Sequence, residues 1–199
     1  PVHPDIPMRI LDTHLHLVYQ DRFSYPWLAG EPALDRQWTL DDYFAEAGPL
    51  GIESALHMEV DVAEPDMLAE TRFVTGLGPR IVGAIAAARP EHHGFADHLQ
   101  RLAELPGLRG IRRILHTVPD DISRSDRFVE NIQRLASYRL PFDLCLRSDQ
   151  LPLGMQLVDQ CPDVQFVLDH CGNPRVAEEE VEPWHGYITD FARRPNVVV

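Results

Sequence analysis

The chain has 199 residues, 44% hydrophobic and 25% charged, with 18 Lys+Arg against 31 Asp+Glu and a formal net charge of −13. This is the composition of a globular protein, and the acidic balance disfavours nucleic acid or an anionic membrane surface as a partner, since both need a basic face. No run reaches the roughly 18 uncharged apolar residues of a membrane span, and PVHPDIPMRI lacks the basic-then-apolar layout of a secretory leader, so a cytoplasmic location is expected.

In chain order, short β-rich apolar runs alternate with longer amphipathic ones. The first strand is expected in MRILDTHLHL from Met8, followed by a long loop holding Tyr25-Pro26-Trp27-Leu28. Thr39 and Asp42, three residues apart, form the signature of a capping box opening the helix LDDYFAEA. The second strand, ESALHMEV from Glu53, leads to a helix over Asp66 to Thr75, and RIVGAIAAA from Arg80 gives the third. A helix over Gly94 to Glu104 precedes the fourth strand, LRGIRRILH from Leu108. Ser125 can cap a helix whose Phe128, Ile132, Leu135 and Ala136 fall on one stripe. PFDLCLR from Pro141, a helix over Leu151 to Gln160, VQFVLDH from Val164, a helix over Glu182 to Arg193 and NVVV from Asn196 complete the series.

Gly48-Pro49, Gly78-Pro79 and Pro106-Gly107 stand just before the strands that follow them, where a helix must stop and the chain turn back. The pattern is that of a single α/β domain with a parallel sheet, which is either open and doubly wound or closed as an eight-stranded barrel. An open sheet of this kind normally carries a glycine-rich loop after its first strand. The sequence holds neither G-x-G-x-x-G nor G-x-x-x-x-G-K-[ST], so nucleotide binding is not indicated. Cys145, Cys161 and Cys171 are odd in number and show no C-x-x-C spacing, which fits free thiols in a reducing compartment.

The residues suited to chemistry gather at strand ends. Side chains two apart on a strand share a face, so His14 and His16 would converge at the end of the first strand and supply half a metal site; paired histidines can also simply pack. Leu168-Asp169-His170-Cys171-Gly172 places another imidazole where the sixth strand stops. In a barrel both ends open onto one mouth. Arg112 and His116, four apart on the fourth strand, would share a face, and the Arg112 guanidinium could grip a substrate carboxylate or pair with an acid of the protein. Glu59 ends the second strand and Arg147 the fifth, where each could line a pocket or serve as an ordinary strand terminus. Trp27 could wall a sugar-sized pocket or pack its loop down. His92, His93 and His98 do not make a metal site, because neither Gly94 and Phe95 nor Arg101 and Leu102, the helical neighbours of His98, can ligate. No G-x-S-x-G or recognised cysteine nucleophile is present.

DTHLHL near the start, PWL in the first loop, GIRR on the fourth strand and LDHCGNP on the sixth resemble the amidohydrolase superfamily, and within it the amidohydrolase-related, lactonase-like group that includes sugar-acid lactonases. The resemblance implies a (β/α)8 TIM barrel and, in many members, one divalent metal, most readily zinc, with His14, His16 and His170 as ligands. His170 is also implied as an assisting catalytic group and Arg112, at the family's GIR position, as a substrate-binding residue, while Glu59, His116, Arg147 and Trp27 are substrate-binding candidates by their placement. Some lactonases of this group work without metal. The family usually continues to an eighth strand bearing a catalytic Asp, so the barrel is expected to be truncated within its seventh strand. GIRRILH and FDLCLR stand where binuclear members carry a Lys or Glu and a His, which argues against a second metal. The implied activity is hydrolysis of a small lactone. A non-oxidative decarboxylase of the same superfamily is one alternative, and a non-catalytic binding protein on the same scaffold is another. The expected partner is a small-molecule substrate, with homo-oligomerisation left open.

Overall fold

A computed structural model describes residues 9–178 and 181–199; Met8, where the first strand was expected to begin, lies outside the described residues. The chain divides into two compact units, one ending at Ala86 and including Leu105–Leu108, the other Ala87–Glu104 with Arg109–Val199.

The first unit is built on β1 (Ile10–Leu15), α1 (Leu40–Ala47), β2 (Ile52–Met58), α2 (Met67–Thr75) and β3 (Ile81–Ala87). β1 pairs in parallel with β2, and β2 with β3. The capping box is formed: the Thr39 hydroxyl accepts from the Asp42 N–H while the Asp42 carboxylate accepts from the Thr39 N–H, which fixes the start of α1. Leu40 and Phe44 of that helix pack against Leu15, Leu17, Tyr19, Ala55 and Ile81, with Phe73 and Trp38 at the margin. Each large side chain buried in this way contributes about 1.5–3 kcal/mol.

In the second unit the elements are α3 (Phe95–Ala103), β4 (Leu108–Ile114), α4 (Asp126–Gln133), α5 (Leu135–Tyr138), β5 (Phe142–Cys145), α6 (Leu151–Gln160), α7 (Trp184–Phe191) and β7 (Val197–Val198), with β6 (Phe166–Leu168) between the last two helices. Parallel pairing runs β4 to β5 to β6 to β7. Ser125 caps α4 by accepting from the Phe128 N–H, as the sequence predicts, but the single helix expected there is broken after Gln133 and resumes at Leu135. Phe128, Phe142 and Phe166 are fully buried in an edge-to-face series that joins α4 to two neighbouring strands.

Within each unit every strand lies beside the next in the chain, without the reversal of order that marks a doubly wound sheet. Within the first unit the Ala84 N–H donates to the Gly107 carbonyl, and within the second the Ala88 N–H donates to the Arg112 carbonyl. All the strands are shorter than the runs expected for them. β5 stops at Cys145, because the Gln150 side chain takes up the Arg147 N–H and turns the chain into α6, and β6 stops at Leu168.

Candidate active site

In the first unit, Asp12 pairs with Ala55 and Leu15 with His57, so three steps on β1 match two on β2 and the strand carries a bulge. The bulge changes the phase of the strand. Asp12 reaches α1, accepting from the Tyr43 hydroxyl at 2.6 Å, and Leu15, an odd number of residues away, packs toward the same helix. His14 and His16 take the alternate face, their ring centroids 4.9 Å apart in an edge-on arrangement. His16 Nδ1 lies 3.0 Å from the Met58 carbonyl oxygen. A carbonyl only accepts, so Nδ1 carries the proton and Nε2 keeps the lone pair a cation would need.

Further groups surround this pair. His57, 1% exposed, has its pKa pushed down to about 3 by burial and by the nearby His16, and it stays neutral. Glu59 is equally buried and accepts from the Asp61 N–H at 2.8 Å. Behind it, Glu70 holds its proton to well above the usual carboxylate range, chiefly through burial and then through the charge of Glu59. Trp27 donates its indole N–H to the Val60 carbonyl at 2.8 Å, which ties the first loop to the chain just beyond β2.

In the second unit a different cluster forms at the C-terminal ends of β4, β5 and β6. Arg112 Nε lies 3.0 Å from Asp169 Oδ2, and its Nη2 donates to Cys145 Sγ at 3.0 Å. His116 Nδ1 lies 3.2 Å from the same sulfur. The structure thus brings Arg112 and His116 together, although β4 ends before His116. Burial raises the Asp169 carboxyl above its ordinary value, against the opposing pull of Arg112 and His170. Arg147, past the end of β5, donates to the His116 carbonyl at 2.7 Å and pairs with Asp149 at 3.0 Å, leaving its side chain 43% exposed. Arg113 turns instead to Glu91, at 2.7 Å.

His170 is exposed and sits in a turn where His170, Cys171, Gly172 and Asn173 all have positive φ, at 53°, 52°, 72° and 48°. The turn is held by Asn173 Nδ2 donating to the Leu146 carbonyl at 2.6 Å and by Trp184 donating to the Cys171 carbonyl at 2.7 Å. Non-glycine residues adopt this conformation only where the surroundings impose it, and such strain concentrates at functional sites.

The sequence reading did not single out His57, Glu70, Cys145 or Asp169. The available signal for Cys145 and Asp169 was that each lies at the end of one of two adjacent parallel strands, β5 and β6.

Residues 11–199 match the Amidohydro_2 family, described as Amidohydrolase. The chain belongs to that family. It is 26% identical over 168 residues to an L-fucono-1,5-lactonase of Burkholderia ambifaria, covering 80% of this chain but 58% of the lactonase. Among solved structures, it is similar to an amidohydrolase from Burkholderia multivorans with bound zinc (TM-score 0.84, 22% identity, 96% of this chain and 68% of that one). It also resembles amidohydrolase 2 from Bifidobacterium longum subsp. infantis (TM-score 0.75, 26% identity, 95% and 71%). Among the described residues no helix is long and apolar enough to cross a membrane.

The donor sets suit a divalent metal. His14 and His16 offer two imidazoles, one with its tautomer set by Met58, and Cys145, Asp169 and His170 offer three donor atoms within 4.8 Å of one another.

Proposed function

We propose that this amidohydrolase opens a sugar-acid lactone by metal-assisted hydrolysis, acting in the cytoplasm as a (β/α)8 barrel. The observation that carries the reading is the His14–His16 ring pair, with His16 Nδ1 held at the Met58 carbonyl, and the lactonase relative supports the choice of substrate class. His14, His16 and His170 are the residues that would hold the metal, with zinc as the occupant. When bound, a divalent cation lowers the pKa of water toward about 7 and polarises an ester carbonyl.

The remaining work falls to the chain's own side chains. The Met58 carbonyl keeps the His16 proton on Nδ1, so the ring cannot turn its other nitrogen away. Buried His57 remains neutral and adds no charge beside the histidine pair. The Arg147 guanidinium is exposed enough to hydrogen-bond substrate hydroxyls or a carboxylate, and His116 and Glu59 are further polar contacts for the sugar. Trp27 offers an apolar ring face to one side of the sugar while its N–H stays on Val60. Arg112 acts through Asp169 and Cys145. By the family resemblance the base that takes the proton during ring opening is the eighth-strand Asp, with His170 assisting from its place beside the metal.

With a net charge of −13 the protein offers no long-range attraction to an anion, which favours neutral aldonolactones. The test is a panel of aldonolactones assayed by acid release. Turnover of at least one neutral lactone, falling about 100-fold or more in His16→Ala, supports the reading. No turnover of any lactone overturns it.

A further inference from the structure

We propose that Cys145, Asp169 and His170 form a cation site whose thiolate ligand makes a borderline-soft or soft ion, Zn2+ or Cd2+, the preferred occupant over Mg2+ or Mn2+. The inference deepens the reading above and shares with it only the ligand role of His170. Its basis is geometric. Among the described residues these three alone form a group of His, Cys or carboxylate side chains with donor atoms all within 4.8 Å of one another. A tetrahedral zinc with bonds of about 2.0–2.3 Å holds its ligands about 3.3–3.8 Å apart, so closing the group on an ion takes movement on the order of 1 Å.

The surroundings are arranged as they are around bound metals, with hydrogen-bond donors orienting the ligands from behind. Arg112 does this for Cys145, its Nη2 donating to Sγ at 3.0 Å, while its Nε lies 3.0 Å from Asp169 Oδ2 as an ion pair. The guanidinium charge is matched by Asp169. His116 makes a second contact to the sulfur. Cys145 and Asp169 are buried whereas His170 is exposed, so the ion would sit at the solvent boundary with a position left for water. Binding breaks the S–H bond, forms a metal–sulfur bond and releases one proton to solvent, with no change of oxidation state. Thiolate ligands select softer ions, and oxygen ligands alone would favour Mg2+ or Mn2+.

The experiment is titration of the full chain with Cd2+, observed through the ultraviolet sulfur-to-metal charge-transfer band, in the native protein, Cys171→Ser, Cys145→Ser and Asp169→Asn. The expected result is a band at one equivalent in the native protein and in Cys171→Ser, its loss in Cys145→Ser, and a band with affinity weakened about tenfold or more in Asp169→Asn. Circular dichroism of each variant separates loss of the site from loss of the fold. No band in the native protein, or an undiminished band in folded Cys145→Ser, overturns the proposal. The band reports the Cys145 thiolate, which is no metal ligand in the lactonase reading, so turnover without a band overturns this proposal alone and a band without turnover overturns the lactonase reading alone.

Discussion

Arg112 on β4 and Asp169, one residue past β6, form an ion pair of 3.0 Å with side chains 4% and 2% exposed. Removing one partner strands the other's charge in the interior, at a cost of about 3–5 kcal/mol. Asp169→Ala is therefore expected to lower the urea unfolding free energy by about that amount. Arg112→Lys should cost less, since it keeps the charge but cannot serve Asp169 and Cys145 together. A loss below about 1 kcal/mol in Asp169→Ala would contradict the pairing.

Glu70 predicts how stability depends on pH. In the folded chain it keeps its proton above the ordinary value of 4.5, while in the unfolded chain it titrates near that value. Between the two, the unfolded state binds fewer protons, so Glu70 makes the protein less stable as pH rises from about 4.5 toward the raised native value. Glu70→Gln is expected to be more stable than the native chain at about pH 7 and to lose that part of the pH slope. Urea unfolding of both proteins at about pH 5 and about pH 8 measures the difference, and parallel slopes would rule the effect out.

The turn bearing His170 gives the third prediction. Gly172 has φ of 72°, and a Cβ there would meet Leu151 Cδ2 at 2.6 Å. Gly172→Ala is expected to cost about 2 kcal/mol or more and to lower kcat by misplacing His170, whereas Cys171→Gly should stay within about 1 kcal/mol of the native chain. Thermal unfolding with turnover on the best lactone checks both. Equal stability and turnover in Gly172→Ala would show that the turn does not position the imidazole.

Trp27→Phe keeps a ring but loses the bond to the Val60 carbonyl. A loss of about 0.5–1.5 kcal/mol and a raised KM with little change in kcat are expected, because the ring is assigned to binding and not to the chemical step. A fall in kcat at unchanged KM would move Trp27 out of that role.

The alternation of β and α elements was legible because apolar period and capping chemistry are local. Thr39 with Asp42 and Ser125 with Phe128 form the caps their sequence predicts, and α6 spans the expected Leu151–Gln160. The histidine pair was legible for the same reason, since residues two apart share a face. The bulge between Asp12 and Leu15 was not legible, because it arises from the register against β2 and leaves no mark in β1 alone. Cys145 and Asp169 went unnoticed because their neighbourhood is made by contacts across strands, and a cysteine in FDLC reads as one more apolar strand residue. The ends of β5 and β6 were placed too late, since Gln150 and the positive-φ turn at His170 outweigh the β propensity of the residues there.

Metal dependence of lactone opening tests the central claim most directly. Acid release from the best aldonolactone is measured in the native chain, after removal of metal with a chelator, after return of Zn2+, and in His14→Ala. The account predicts a fall of about 100-fold or more on chelation, recovery with zinc, and a loss in His14→Ala that zinc does not repair. Full turnover in chelator with no bound metal would contradict it.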